Sequence, residues 1–448
     1  MTIPCEYSRK LRTADELAAM VQPGFCMHWG LGYGCVTDID LALSRRAGEL
    51  QNVEIFFSVP LRDKPFATWA ACNESEQIRF HCCHFTAPVR KMYEGGNCWF
   101  VPIIFCQTPK DWTENAKPFD MVCVQVGPMD SFGFFNLGPQ VADIKTAIEC
   151  ARCVVFEVNE NMPYAYGRRT AVHISEIDFV VEGSNTPLAQ IPPASPTEVE
   201  KSMARNIVNL IESGSTIQLG IGAIPNCIGE MLCDSDIDDL SIHSEMLTDA
   251  CVDLYEAGKL SGNKNLDRGL IVYSFCGGTK RLHDFIHRNP ICCVAPVDYV
   301  NAYETLSRLD KLVSINSCIQ CDLYGQINAE SAGYRHISGT GGQLDFVLGA
   351  LLSKNGKSVI CLPSTRTYAD GRQESLIVPT LPAGSIVTTP RSAVHYVATE
   401  YGIVNLRGKS TWQRAELLIS IAHPDFRQEL IERAEKMGIW KNSSKVIL

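Results

Sequence analysis

Thr216-Ile217-Gln218-Leu219-Gly220-Ile221-Gly222 is a short apolar run with β-branched members that stops at two glycines one residue apart. A helical run begins at Asn226. Strand, glycine turn, helix is the repeating unit of an α/β fold whose buried strands run parallel. The same order stands near the start of the chain. Thr13 is placed to cap a helix through Met20, Pro23-Gly24 ends it, and Phe25 to Trp29 reads as a strand. Gly30-Leu31-Gly32-Tyr33-Gly34 follows as the turn. Gly24, Gly30 and Gly32 precede Gly214, Gly220 and Gly222 by one constant offset of 190 residues. That offset reads as an internal repeat.

Outward from these turns the rhythm continues. Val53 to Phe57, Cys98 to Phe105, Met121 to Val126 and Val154 to Val158 read as further buried strands. From Ser184 to Pro196 prolines gather, which predicts a linker. Thr197 then caps a helix through Leu210. The expected organisation is an N-terminal α/β domain over 1–186, a proline-rich linker over 187–196 and a C-terminal α/β domain over 197–448. Both domains are expected to be open sheets, similar to each other and mostly parallel. The tail from Thr411 to Met437 reads as two helices broken at His423-Pro424.

Composition narrows the functions. Of 448 residues 46% are hydrophobic and 20% charged, as in ordinary globular proteins. The formal net charge is −10 with no long basic run, which argues against nucleic acid and anionic membranes as partners. Any anionic ligand must be held by local features. No apolar run reaches the roughly 18 residues of a membrane span, and Met1 to Tyr7 lacks the apolar core of a signal peptide. The 20 cysteines are scattered, several within apolar runs, which fits a reduced, cytoplasmic protein. Cys150-x-x-Cys153 and Cys318-x-x-Cys321 have zinc-like spacing but no matching histidine pair, so no metal site is expected.

Three places carry chemistry. Ser241-Ile242-His243-Ser244-Glu245-Met246-Leu247-Thr248-Asp249-Ala250 reads as a strand end near His243, with Glu245 at the turn into a helix. A carboxylate at the carboxyl end of such a strand can act as nucleophile or base. A glutamate in a first helical turn is equally what the helix dipole favours. Gly220-Ile221-Gly222 and Ser338-Gly339-Thr340-Gly341-Gly342-Gln343 both precede helices and suit a phosphate or an oxyanion. Neither is a Walker loop or a full dinucleotide fingerprint. Asn301 follows Val297 to Val300, an apparent strand end, where its amide either faces a cleft or turns the chain.

Taken together, these stretches resemble one family. They are His243-Ser244-Glu245-Met246, Pro296-Val297-Asp298-Tyr299-Val300-Asn301, Ile315-Asn316-Ser317, Asp322-Leu323-Tyr324-Gly325-Gln326 and Ser338 to Phe346. Thr399-Glu400-Tyr401-Gly402, Leu406-Arg407-Gly408-Lys409-Ser410 and Ala422-His423-Pro424-Asp425-Phe426-Arg427 complete the set. The pattern resembles the acetyl-CoA hydrolase/transferase family, nearest the 4-hydroxybutyrate CoA-transferase branch of family I CoA-transferases. It is dense from Gln218 to Arg427; in the first half it rests on layout and on Val53-Glu54-Ile55 with Val59-Pro60.

The resemblance implies two open α/β domains with the active site between them. It implies Glu245 as nucleophile, with Asn301, Gly341 and Gly342 lining the oxyanion and thioester site. Gln218, Gly220, Gly222, Gly339 and Gln343 are then expected to border CoA. It further implies a homodimer acting on acyl-CoA and small carboxylic acids, with CoA as substrate and no tightly bound cofactor. Three departures stand out: Ala250 where glycine is common, Gln320 where glutamate is common, and the aromatic residues Trp29 and Tyr33 in the first glycine-rich stretch.

The expected function is CoA transfer between a short-chain acyl-CoA (acetyl-, butyryl- or succinyl-CoA) and a small acid such as 4-hydroxybutyrate, butyrate or itaconate. The route would be ping-pong, through a glutamyl-CoA thioester. An acyl-CoA hydrolase using the same Glu245, and a non-catalytic CoA- or nucleotide-binding protein, are the alternatives. A dicarboxylate would want an added cation such as Arg45 or Arg46.

Overall fold

The computed structural model describes residues 3–72, 77–114 and 118–441. The outer ends of the two expected domains, 1–2 and 442–448, lie outside the described residues. Among the described residues seven strands form the first large sheet. They are β1 (Cys26–Leu31), β2 (Val53–Ser58), β3 (Ile78–Cys82), β4 (Cys98–Phe100), β5 (Met121–Val126), β6 (Val154–Val158) and β7 (Phe179–Glu182). Their order is β4-β3-β2-β1-β5-β6-β7, parallel throughout.

The second large sheet holds β8 (Thr216–Leu219), β9 (Ser241–Leu247), β10 (Ile271–Cys276), β11 (Cys292–Val294), β12 (Leu312–Ser317), β13 (Lys357–Cys361), β14 (Tyr396–Thr399) and β15 (Gly402–Asn405). Its order is β11-β10-β9-β8-β12-β13-β14-β15, with only the last pair antiparallel among the pairings resolved. Both sheets therefore wind outward from their first strand in one direction, then switch to the other side. The repeat seen in the glycines is a repeat of topology: β1 opens at Cys26 and β8 at Thr216, at the same offset. Gly24 and Gly214, two residues earlier, share a left-handed backbone, φ +83° and +79°, which costs a glycine little.

Contacts divide the chain into two compact units. One is Met1–Ile191 with Glu245–Leu247 and Val272–Val300; the other is Pro192–Ser244, Thr248–Ile271 and Asn301–Leu448. In the first unit β1 is buried at all six positions. Met27 and Trp29 enter one apolar cluster with Phe57, Phe66 and Phe80; Cys26 and Leu31 enter another with Val124, Phe135 and Phe156. A sheet covered on both faces needs such continuous apolar strands. In the second unit β13 and β14 pack with the helices Thr411–Ser420 and Pro424–Lys436 through Ile360, Val397, Leu418 and Leu430.

No regular element is assigned from 183 to 197, the proline-dense stretch. Thr197 then caps the helix Glu198–Val208 in a capping box with Glu200. Two local expectations change. β9 does not end at His243 but runs to Leu247, because Met246 and Leu247 continue into the interior. Val297–Val300 is a helical turn, not a strand. Pro296 precedes it, and its fixed φ suits a helix start over strand pairing.

Glu157 in β6 is fully buried and accepts backbone N–H groups from Thr37 (2.8 Å), Asp38 (3.0 Å) and Ile39 (2.9 Å). They stand at the start of the helix Asp38–Ser44. Burial pushes its carboxyl up to about 7, against the pull of those N–H groups. A carboxyl raised in the native state keeps its proton where the unfolded chain has lost it. Stability from this group is whole below its ordinary value near 4.5 and is lost as pH rises through about 7. Glu157→Gln removes that titration. Between pH 4.5 and 8 the denaturation free energy of the variant is expected to gain on wild type by about 3 kcal/mol. Parallel pH profiles of the two proteins would contradict this.

Candidate active site

β9 is the strand on which the site is built. Six of its seven residues are buried; Glu245 alone is partly exposed. A carboxylate that reaches solvent from a buried strand avoids the cost of burying a charge. Its charge is felt by the Cys83 thiol in the same unit. Burial, chiefly, pushes that thiol up to about 12; Asp143 and Glu245 add to the rise and the Ser58 hydroxyl opposes it. Ser58 Oγ lies 3.2 Å from Cys83 Sγ. The next residue, Val59, holds φ +42°, a strained value for a β-branched side chain and a feature that gathers at working sites. Ser58 and Cys83 form a buried pair in the same unit as Glu245 that the sequence did not announce. The signal available was Ser58 closing a parallel strand just before Val59-Pro60.

The second unit gathers most of the other candidates through a chain of hydrogen bonds. Gln218, at the end of β8, accepts from the Ile315 N–H (3.1 Å) and from Asn316 Nδ2 (3.2 Å). Its side chain is 4% exposed and ties β8 to the end of β12. Ser317 closes β12, and its carbonyl accepts from Gln343 Nε2 at 2.8 Å. Gln343 Oε1 accepts from Thr389 Oγ1 at 3.1 Å. The helix Gln343–Leu352 starts directly after Gly341 and Gly342. Gly341 holds φ +51°, and Gly339 in the same loop is buried. Asp345 on that helix is fully buried and accepts from Asn301 Nδ2 at 3.1 Å and from the Tyr303 hydroxyl at 3.5 Å. Asn301, also fully buried, is thus oriented by the helix that the glycine loop starts.

Gly220 and Gly222 differ from the rest. No heavy atom lies within 4 Å of where a Cβ would sit on either, and Gly222 holds φ +122° at the start of the helix Ala223–Cys233. Both backbones border open space, where a ligand can approach the N–H groups.

The two aromatic departures part company. Trp29 is fully buried, its ring against Phe66 and Phe80, so it is core. Tyr33 lines a cavity of about 240 Å³ in the first unit, together with Arg62, Gln125 and Leu188. Its hydroxyl lies 3.4 Å from both the N and the O of Gly278. The cation expected from Arg45 or Arg46 is elsewhere. Arg45 pairs with Asp15, and Arg46 with Glu49 (3.1 Å) and the carbonyls of Ala18 and Val21, so both fasten helices. Arg62 takes the place at the cavity, bonded to the buried Asp40 at 3.1 Å and lying over the Phe66 ring.

Among the described residues no group of three or more His, Cys, Asp or Glu side chains is placed to hold a metal ion. No helix among them is long and apolar enough to cross a membrane.

Two mostly parallel α/β sheets, one with Glu245 on an otherwise buried strand, are the frame, and comparison with known proteins gives the class. Residues 2–192 match the acetyl-CoA hydrolase/transferase N-terminal domain, and residues 278–434 match the C-terminal domain of the same family. The chain belongs to the acetyl-CoA hydrolase/transferase family and is an enzyme of the CoA-transferase class. It is 44% identical to a butyryl-CoA:acetate CoA-transferase of Anaerostipes caccae, over 99% of this chain and all of that one. It is 38% identical to a 4-hydroxybutyrate coenzyme A transferase of Clostridium kluyveri, over 96% of this chain and 98% of that one. The solved structure of a 4-hydroxybutyrate CoA-transferase from Porphyromonas gingivalis superposes with a TM-score of 0.78 at 32% identity, covering 96% of this chain and 98% of that one.

Proposed function

We propose that this enzyme moves CoA between a short-chain acyl-CoA and a small carboxylic acid by a ping-pong route through Glu245. The observation that carries the reading is the exposure of Glu245 on an otherwise buried strand of a sheet whose relatives are CoA-transferases. Its carboxylate attacks the thioester carbonyl; the C–S bond breaks, leaving an acyl-glutamyl anhydride and CoA thiolate. The thiolate attacks the glutamyl carbonyl, forms the glutamyl-CoA thioester and releases the acid. A second carboxylate then runs the steps in reverse. Donor and acceptor bonds are alike in energy, so no further energy source is needed.

Each step passes through an oxyanion. The Asn301 amide, oriented by Asp345, and the N–H groups of the Gly341-Gly342 turn are the donors we assign to it. Gln218 and Gln343 serve this site by fixing β12 against β8 and against the glycine loop. Gly220 and Gly222 present open backbone to CoA. The cavity at Tyr33 and Arg62 is of a size for a short acid, and the relatives' names point to butyrate, acetate or 4-hydroxybutyrate.

Initial rates test this. With butyryl-CoA and acetate varied together, double-reciprocal plots are expected to be parallel, and acid release to depend on the acceptor. Intersecting lines would overturn the ping-pong route. Acid release that ignores the acceptor would favour a hydrolase.

A further inference from the structure

The second unit contains a cavity of about 430 Å³ that none of the assignments above uses. Cys318, next after β12, and Pro363 and Thr365, after β13, line it. It therefore opens at the carboxyl ends of two adjacent parallel strands, where α/β sheets receive ligands. Ser317, beside Cys318, is the residue whose carbonyl holds Gln343 at the glycine loop.

One wall is a hairpin, Thr365–Thr367 paired with Gln373–Ser375. Arg366 and Tyr368 face the cavity from it. The guanidinium of Arg366 lies 4.8 Å from the Tyr368 ring centroid, and that of Arg372 lies 4.1 Å from it. One ring thus gathers two cations. Among the described residues neither guanidinium has a carboxylate partner. The hairpin's own carboxylates are engaged: Glu374 accepts the Tyr368 hydroxyl, and Asp370 accepts the Arg372 backbone N–H at 3.0 Å. Two like charges held on one ring repel each other, and the Glu374 carboxylate at the same cavity is a single anion against them. A ligand bearing phosphoryl oxygens relieves that repulsion and matches the guanidinium fork. On a chain of net charge −10, cations must be concentrated locally to hold such a ligand.

We infer that this cavity takes the phosphorylated nucleotide end of CoA, with Arg366 and Arg372 pairing its phosphoryl groups. Only the choice of CoA as the ligand rests on the proposed activity. The arrangement also explains how one end of CoA is held while its thiol end stays free to change partners.

Calorimetric binding of CoA and of pantetheine, which lacks the nucleotide, tests the site without any turnover. Wild type is expected to bind CoA much more tightly than pantetheine. In the double variant Arg366→Gln/Arg372→Gln the Kd for CoA should rise by about 100-fold, about tenfold for each guanidinium–phosphoryl pair removed. Pantetheine binding and the melting temperature should not change. Arg366→Lys/Arg372→Lys should recover part of the affinity. A CoA Kd within about threefold of wild type in the Gln variant would overturn the site, as would an equal weakening for pantetheine. The expected pattern with no transfer from butyryl-CoA to acetate would count against the activity and leave this site standing.

Discussion

Glu245→Ala is expected to lower kcat for CoA transfer by about 10,000-fold or more, the scale seen when a covalent nucleophile is removed. The side chain is the one part-exposed position of β9, so its removal opens little of the core. Stability should stay within about 0.5 kcal/mol of wild type, the range of ordinary surface changes. Glu245→Gln sharpens the test. It keeps the shape and the hydrogen-bonding length but offers an amide, which cannot form the anhydride. It should be as inactive as alanine while still binding CoA. Glu245→Asp keeps the carboxylate but draws it back by one methylene, which costs alignment with the thioester carbonyl. It should fall between the two. Transfer above about 1% of wild type in Glu245→Gln would remove Glu245 from the nucleophile's role.

Asn301→Ala carries the second-largest expected effect, and it acts on two quantities. If the amide steadies the oxyanion, kcat should fall by about 100- to 1,000-fold while KM for acyl-CoA changes little. The same amide is also a donor to Asp345, which is fully buried. Removing it should cost about 1–3 kcal/mol of stability, the ordinary penalty for a buried polar group deprived of its partner. Asp345→Asn separates the two effects. It replaces the carboxyl by an amide whose oxygen can still accept from Asn301, so stability should suffer less. A lower kcat in that variant would then report misorientation of Asn301. A fall in stability with unchanged kcat in Asn301→Ala would make Asn301 a structural residue only.

What sequence could show follows from what each signal depends on. The repeat was legible because Gly24 and Gly214 need a left-handed backbone, and only glycine supplies it cheaply; the strands at Cys26 and Thr216 then start in step. Thr197 was legible as a helix start because capping is local. Signals that depend on distant packing were not legible. β9 continues past His243 because Met246 and Leu247 find a core to enter, which no neighbouring residue announces. Val297 to Val300 has β-branched members yet forms a helical turn, a tertiary preference overriding a local one. Arg45 and Arg62 look alike in sequence, but Arg45 pairs with Asp15 while Arg62 lines a cavity. Trp29 and Tyr33 lie four residues apart, one in the core and one at a cavity. Ser58 and Cys83 come together from separate stretches, and only the strained Val59 between them marks the place.

The role of Glu245 is tested most directly by the mass of the intact protein after mixing with butyryl-CoA and no acceptor, before and after borohydride. A covalent CoA adduct is expected on wild type, absent from Glu245→Ala, with borohydride reducing the thioester at Glu245. Butyrate released with no adduct at Glu245, or an adduct that survives Glu245→Ala, would contradict it.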